Sequence, residues 1–321
     1  MIKIIFFADG GANVGLGHAI RCAALALGLR HLGAEVRFVG PREAGLDDLL
    51  AGYGLKREDC AAQADAIAHA AQGLGAHMLV ADSYRLDRHL LAQAIKGPKL
   101  VWFDDTASQP PLADALINGS PAALSLPYKL PPAVLALLGP AYQVVRPGLT
   151  ARDRIGPVRR LLVTYGGSDP KQVGPLLATC LPSHLVVDFV VGPFAPIPDN
   201  LPANALLHHN PADMAGLIHG ADLAITAGGQ TLFEMAAAKL PALAIGIGPD
   251  QEPNLKAFRQ ADAIEFAGWA ADPHLGANVT EGLARLLNDE TRRLVISENA
   301  HGLIDGKGAQ RLASALLRLL A

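Results

Sequence analysis

The chain has 321 residues, of which half are hydrophobic and 18% are charged, and its formal net charge is −3. This composition is typical of a globular protein with room for two domains, and it excludes a disordered or collagen-like chain. Because lysines and arginines are few and scattered, no basic surface is expected, and a nucleic acid is not expected as a partner.

The sequence has no secretory signal pattern at its start, and no apolar run reaches the roughly 18 to 20 residues of a membrane span. We therefore expect a soluble cytoplasmic protein without a membrane span, with a monomer favoured, whose partner is a small molecule. Cys22, Cys60 and Cys180 are widely spaced and lack the spacing of a metal site, so reduced thiols and no bound metal are expected.

Short apolar runs alternate with longer amphipathic stretches in the first half of the chain. IKIIFFA is followed by the helical pattern AIRCAALALGLRHLG, and then by EVRFVG, HMLVAD and KLVWFDD. Strands rich in Val, Ile, Leu and Phe without strict alternation are typical of a parallel sheet that is covered by helices on both faces. Residues 1–149 are therefore predicted to form one α/β domain.

The second half repeats this rhythm after a proline-rich linker, which is predicted around Pro147 to Pro157. The strand patterns are VRRLLVTYGG, LVVDFVVG, NALLHH, ADLAITAGG and LPALAIGI, and two amphipathic helices, NVTEGLARLLN and GAQRLASALLRLLA, close the chain. Residues 150–321 are predicted to form a second α/β domain, although one of the last helices can return to the first domain. Ligand loops at the carboxyl ends of both sheets would face each other across a cleft.

The first strand is followed by a glycine-rich loop with Gly10, Gly11, Gly15 and Gly17, and His18 stands where a helix is predicted to begin. Glycines allow a backbone to approach a ligand closely. The amides of a helix N-terminus favour a neutral imidazole, which is the form that a general base needs. His18 is therefore a candidate base, and a histidine that only caps or packs is the alternative.

Two glycine loops in the second half follow predicted strands and are candidate phosphate sites, because amides at a helix N-terminus bind phosphate groups. The residues of these loops are Gly166, Gly167, Ser168, Gly228, Gly229, Gln230 and Thr231. Glu234 lies one turn further along the helix that follows the second loop, where it can reach the hydroxyls of a ribose. A plain solvated glutamate is the alternative.

Polar side chains also follow two strands of the first half. Asp104 and Asp105 come after VWF, and adjacent carboxylates can bind Mg²⁺, but amides and neutral donors stabilise a leaving diphosphate without a metal. Tyr84 follows HMLVAD and would point towards a ligand, with a tyrosine packed at a loop edge as the alternative.

The chain has neither the glycine pattern of nicotinamide or flavin sites nor a P-loop, so no cofactor is expected.

The motifs GLGHAIRC, DSYRLD, WFDD, GPAYQVVRP, VTYGGSDP, VVGP and TAGGQTLFEMAA occur in this order over nearly the whole chain. Together they resemble the family of hydrolases that act on UDP-2,4-diacetamido-2,4,6-trideoxy-β-L-altropyranose in pseudaminic acid biosynthesis. That family is similar in turn to the GT-B glycosyltransferases of the peptidoglycan N-acetylglucosaminyltransferase type. The resemblance implies a GT-B fold, with two Rossmann-like α/β domains facing across a cleft and UDP bound by the C-terminal domain.

The resemblance also implies the reaction, in which water attacks C1 of the sugar with inversion and releases UDP and a free amino-deoxy sugar. It places the general base on His18 and the UDP contacts on the two phosphate loops and Glu234. Further substrate contacts are implied for Asp9, Gly17, Arg21, Tyr84, Gln251 and Asn254.

One position departs from the related family, which carries an arginine where this chain has Phe7, two residues before Asp9. The identity of the sugar therefore stays open. A glycosyltransferase that passes the sugar to an acceptor is an alternative, because a related glycine loop and histidine occur in the transferase. A protein that binds a UDP-sugar without reacting is another.

Overall fold

The computed structural model describes residues 1–11 and 15–321. Contacts divide the chain into two compact units: unit 1 comprises Met1–Val144 and Lys307–Ala321, and unit 2 comprises Val145–Gly306. Each unit is a parallel sheet with packed helices, as the alternating sequence pattern predicted. Within the described residues, no helix combines the length and apolar character needed to cross a membrane.

Unit 1 contains seven parallel strands in the order β3-β2-β1-β4-β5-β6-β7. The strands are β1 (Lys3–Ala8), β2 (Glu35–Gly40), β3 (Arg57–Asp59), β4 (Met78–Asp82), β5 (Lys99–Phe103), β6 (Ala115–Asn118) and β7 (Leu135–Leu138). The helices between them are α1 (Gly17–His31), α2 (Leu46–Gly52), α3 (Ala64–Gly73) and α4 (Arg88–Ala94). Neighbouring strand ends therefore meet at one carboxyl edge of the sheet.

Alternate residues of β1 belong to two separate hydrophobic cores, one on each face of the sheet. Ile4 and Phe6 pack with α1 residues, whereas Ile5 and Phe7 pack with residues of α3 and α4. Burial on both faces explains why this strand is apolar throughout. Phe7 is 1% exposed, so the position where the related family carries an arginine is a core position in this chain.

Unit 2 contains six parallel strands in the order β10-β9-β8-β11-β12-β13. The strands are β8 (Arg160–Thr164), β9 (Val186–Val191), β10 (Ala205–His209), β11 (Leu223–Ala227), β12 (Ala242–Gly246) and β13 (Glu265–Trp269). The helices are α5 (Val173–Thr179), α6 (Met214–Gly220), α7 (Gln230–Ala237), α8 (Glu252–Gln260), α9 (Leu275–Asn288) and α10 (Glu290–Leu303). Two cores again lie on opposite faces of the sheet.

The last helix, α11 (Gly308–Arg318), belongs to unit 1, where it packs on α1. The absence of a side chain at Gly28 permits this contact, because a Cβ there would lie 3.3 Å from the Ala309 carbonyl oxygen. The units therefore differ from the predicted domains 1–149 and 150–321. They separate at Val144 and Val145, and the chain returns to unit 1 at its end.

Several elements have no counterpart among the predicted strands and helices. Strands β3, β6, β7 and β13 are not among the predicted strand patterns, and α10 lies between the two predicted terminal helices. The buried face of α10 includes Arg293 and Ser297, so its sequence lacks a continuous apolar stripe.

Candidate active site

The carboxyl edge of the unit 1 sheet collects the acidic residues that follow three neighbouring strands. Asp9 follows β1, Asp82 ends β4, and Asp104 and Asp105 follow β5. Because β4 lies between β1 and β5 in the sheet, these carboxylates meet at one edge, beside the start of α1. This edge is where open α/β sheets bind ligands.

His18 is the second residue of α1, and its imidazole contacts Asp82. The His18 Nδ1 atom lies 2.6 Å from Asp82 Oδ1, and the histidine is 8% exposed. Burial alone would raise the pKa of Asp82, but the charges of Arg21 and then His18 hold it well below its usual range. The ionised carboxylate can only accept, so Nδ1 carries the hydrogen, and a neutral His18 has its lone pair on Nε2.

Arg21 lies one turn after His18 on the same face of α1 and bridges two carboxylates. It donates to Asp82 from Nε (2.5 Å) and Nη2 (2.7 Å), and to Asp105 from Nη1 (3.0 Å) and Nη2 (2.8 Å). Its guanidinium also stacks 4.7 Å from the centre of the Phe103 ring. Burial would lower the pKa of Arg21, but the carboxylates of Asp105 and Asp82 raise it well above its ordinary value. Arg21 is thus a fixed charge that organises the site.

Asp9 is buried and holds the loop that follows β4. Its Oδ2 accepts from the backbone amides of Tyr84 (2.9 Å) and Arg85 (3.3 Å), and its Oδ1 accepts from Arg85 Nε (3.1 Å). The carboxylate of Asp9 thus orients other residues of the site, and its contact with a substrate stays a prediction.

Tyr84 is 62% exposed and packs edge-on against His18, with 4.6 Å between ring centroids and 89° between ring planes. Its hydroxyl donates to Asp105 Oδ2 over 2.9 Å. Gly17, the first residue of α1, borders open space, since a Cβ there would meet no described atom within 4 Å. Residues 12–14 of the glycine loop lie outside the described part of the chain.

The metal interpretation of the paired acids gains no support from their contacts. Asp104 pairs with Arg88 over 2.9 Å, and Asp105 pairs with Arg21. Among the described residues, no group of three or more His, Cys, Asp or Glu side chains has the arrangement of a metal site.

In unit 2, the second glycine loop leads into α7, as the sequence predicted. Gly229 precedes the helix without a side-chain cap, and Gln230 and Thr231 form its first turn. The amide of Gly228 is engaged, because it donates to the Ile245 carbonyl and to Gln251 Oε1, each over 3.2 Å. The phosphate site predicted at this loop therefore cannot use a free amide at Gly228.

Gln251 ties this loop to the end of β12, because its Oε1 also accepts from the Ile247 amide over 3.0 Å. Asn254 lies nearby, partly buried in the first turn of α8. Both residues were predicted to contact the substrate. The structure places Gln251 against the glycine loop and gives it a role in holding that loop.

Glu234 on α7 is fully buried, and its Oε2 accepts from Arg146 Nε over 2.8 Å. Its second oxygen, Oε1, has no hydrogen-bond partner among the described residues. A buried carboxylate oxygen normally has a donor, so a ligand hydroxyl would complete this group. Glu234 is not the plain solvated residue of the alternative interpretation.

The first glycine loop of unit 2 follows β8 and contains Gly166, Gly167 and Ser168. Ser168 does not lie at a helix end, because α5 begins five residues later at Val173. The first amides of that helix are occupied by the Asp169 carboxylate, which accepts from Val173 and Gly174 over 2.8 Å each. Contacts of this loop to a phosphate remain a prediction, without the helix end that was expected to support them.

Asp82 had no predicted role as the partner of the candidate base, and Asp105 had none as the partner of Arg21 and Tyr84. The available clue was their position directly after strand patterns, in DSYRLD and WFDD. Only the strand order, which places β4 next to both β1 and β5, brings them to His18.

No known protein-family profile matches the chain. The chain is 27% identical to the spore coat polysaccharide biosynthesis protein SpsG of Bacillus subtilis, over 97% of this chain and 96% of that protein. It is 26% identical to the pseudaminic acid cytidylyltransferase and UDP-2,4-diacetamido-2,4,6-trideoxy-β-L-altropyranose hydrolase of Helicobacter pylori, over 76% of this chain. That second similarity spans 44% of the Helicobacter protein.

Among solved structures, the spinosyn forosaminyltransferase SpnP superimposes with a TM-score of 0.71 over 99% of both chains, at 16% identity. A likeness at this identity establishes architecture and leaves the reaction open. Together with two parallel sheets of seven and six strands, it shows that the chain has the GT-B fold of two Rossmann-like units.

Proposed function

We propose that this chain transfers the sugar of a UDP-sugar to a hydroxyl group, with His18 as the general base. The observation that carries the proposal is the contact of His18 Nδ1 with the buried Asp82 carboxylate. That contact leaves Nε2 as the basic atom of the ring. The carboxylate also stabilises the imidazolium that forms when Nε2 takes a proton.

In the proposed reaction, Nε2 accepts the proton of the attacking hydroxyl as its oxygen forms a bond to C1 of the sugar. The electron pair of the C1–O bond moves to the diphosphate, which leaves as UDP, and the configuration at C1 is inverted. General-base assistance of this kind contributes about 10² to 10⁴ in rate. Asp82 keeps the imidazole oriented throughout the step.

Unit 2 supplies the proposed UDP site. The start of α7 presents the positive end of the helix dipole, which stabilises the charge of a diphosphate. The unpaired Oε1 of Glu234 is the proposed acceptor for a ribose hydroxyl. Both features come from the same helix, so the diphosphate and the ribose would be held with a fixed separation.

A sugar or other alcohol is the favoured acceptor, because the superimposable solved structure is named as a forosaminyltransferase, which is a group-transfer enzyme. Water is the second candidate, which the name of the Helicobacter relative supports through its hydrolase part. In that case the reaction is hydrolysis of a UDP-2,4-diacetamido-2,4,6-trideoxyhexose to UDP and the free sugar. His18 has the same role with either acceptor.

The decisive experiment incubates the purified chain with a panel of UDP-sugars in H₂¹⁸O, first without and then with saccharide acceptors. A transferase releases UDP only when an acceptor is present. A hydrolase releases UDP without one and places ¹⁸O on C1 of the sugar. Label on the phosphate would contradict attack at carbon, and binding without UDP release under every condition would refute the enzymatic proposal.

A further inference from the structure

Five side chains at the carboxyl edge of the unit 1 sheet form a closed series of contacts, which we name the contact cycle. Its members are His18, Asp82, Arg21, Asp105 and Tyr84. Hydrogen bonds or ion pairs join each member to the next from His18 to Tyr84. The edge-on packing of the Tyr84 ring against the His18 ring closes the cycle.

Tyr84 is the exposed member of the contact cycle, yet it is held at both ends. Its backbone amide donates to Asp9, and its hydroxyl donates to Asp105 over 2.9 Å. Ordering an exposed side chain costs conformational entropy, and two anchors offset that cost. The two anchors together fix the ring against the imidazole.

Asp105 is the group that links the tyrosine to the charged part of the cycle. Its side chain is 24% exposed and accepts from two nitrogens of Arg21 as well as from Tyr84. A carboxylate has about four acceptor positions, so it can hold both partners at once. Arg21 in turn fixes Asp105 through its own contacts with the buried Asp82.

We propose that Asp105 is a positioning residue that acts through Tyr84. It holds the tyrosine ring against His18 and thereby limits the rotation of the imidazole about its side-chain bonds. Asp82 contacts the Nδ1 side of the imidazole, and Tyr84 packs against the ring. The lone pair of Nε2 is therefore held in one orientation. The inference rests on the proposed function, because the orientation of Nε2 affects the reaction rate only if His18 is the general base.

The competing explanation is that Asp105 only neutralises Arg21. The two explanations differ in the variant Tyr84→Phe, which removes the hydroxyl and leaves the ion pair of Arg21 and Asp105 intact. A matched control is Tyr128→Phe, because the Tyr128 hydroxyl donates to the backbone carbonyl of the adjacent Asp104 and lies outside the contact cycle.

The first readout is NMR of chains labelled with ¹⁵N in histidine, with the His18 signals assigned by comparison with His18→Asn. We expect Tyr84→Phe and Asp105→Ala, which removes the acceptor of the tyrosine hydroxyl, to shift or broaden the His18 ring signals. The double variant should resemble Asp105→Ala, and Tyr128→Phe should leave these signals unchanged. His18 signals in Tyr84→Phe that coincide with those of the unaltered chain would overturn the inference.

The second readout is steady-state release of UDP from the UDP-sugar that the unaltered chain turns over fastest in the panel. Asp105→Ala is expected to lower kcat about tenfold with a smaller change in KM, since misplaced catalytic groups slow the chemical step. Adding Tyr84→Phe to Asp105→Ala should lower kcat no further, because both act through one contact. Additive losses would contradict the inference, whereas coupled NMR changes with a fully active His18→Asn would refute the base role alone.

Discussion

Both units contain a buried aspartate that pairs with a histidine and an arginine. In unit 1, Asp82 contacts His18 and Arg21. In unit 2, Asp188 accepts from Arg160 Nη2 over 2.7 Å and lies 2.8 Å from His208 Nε2. Both aspartates are 0 to 1% exposed, so the residue types and the burial of the carboxylate do not distinguish the two clusters.

Position in the sheet does distinguish them. Asp82 is the last residue of β4, at the carboxyl edge and beside the start of α1, whereas Asp188 is the third residue of β9. The Arg160 and His208 side chains are 39% and 29% exposed, compared with 13% for Arg21. A carboxylate within a strand stabilises its neighbours, whereas one at a strand end can serve a ligand site.

The largest expected effect tests this comparison by replacing the histidine of each cluster. His18→Asn should lower the rate of UDP release by about 10² to 10⁴, because the base is lost. The matched variant His208→Asn removes the other aspartate-paired histidine and should retain the activity of the unaltered chain. Equal activity of both variants in a UDP-release assay would show that the unit 1 cluster has no catalytic role.

Replacement of the two aspartates should also affect kcat differently, although the difference is smaller than for the histidines. Asp82→Asn is expected to lower kcat by about 10², because an amide cannot stabilise the imidazolium that forms on His18. Asp188→Asn should lower the thermal midpoint while kcat stays unchanged, since it disturbs only an ion pair within the sheet. The check is kcat and Tm for both variants, and a loss of kcat in Asp188→Asn would contradict the distinction.

A smaller effect is expected on nucleotide binding. Glu234→Gln should weaken UDP binding by about 1 to 2 kcal/mol, because hydrogen bonds to a charged acceptor are lost. Glu281→Gln is the matched control, since Glu281 is exposed on α9. Calorimetric titration with UDP measures both, and unchanged affinity in Glu234→Gln would remove the ribose assignment.

The strands that carry the site could be predicted because they are buried on both faces and therefore read as continuous apolar runs, as in β1 and β4. The start of α1 at Gly17 and of α7 at Gln230 also agreed with the glycine patterns. The start of α5 did not, because Asp169 caps that helix from a loop longer than expected.

The surroundings of His18 could not be predicted. Its partner Asp82 and the more distant Asp105, which contacts Arg21 and Tyr84, are separated from it by 64 and 87 residues in the sequence, and only the strand order unites them. The return of one of the last helices to the first domain was considered from the sequence, but the sequence did not decide it. The amphipathic pattern of α11 shows that one face is buried but does not show which unit covers that face.

The smallest expected difference between the two clusters is in how the stability that Asp82 and Asp188 contribute depends on acidic pH. Burial would raise the pKa of Asp188, but the hydrogen bonds from Arg160 and then His208 lower it, and the pKa of Asp82 is lowered in the same sense by Arg21 and His18. A carboxyl group with a lowered pKa in the folded state contributes stability above its unfolded value, which is about 3.9 for aspartate. That contribution is lost as the pH falls through the folded value.

The Tm difference between the unaltered chain and each Asp→Asn variant should therefore narrow as the pH falls below about 4. Because Asp82 is held well below its usual range, its difference should persist to lower pH than that of Asp188. Scanning calorimetry at intervals from neutral to acidic pH measures both curves. A Tm difference for Asp82→Asn that grew as the pH fell below about 4, where the histidines are already protonated, would mean that the folded chain prefers the protonated acid. The orientation of His18 by an ionised partner would then have to be abandoned.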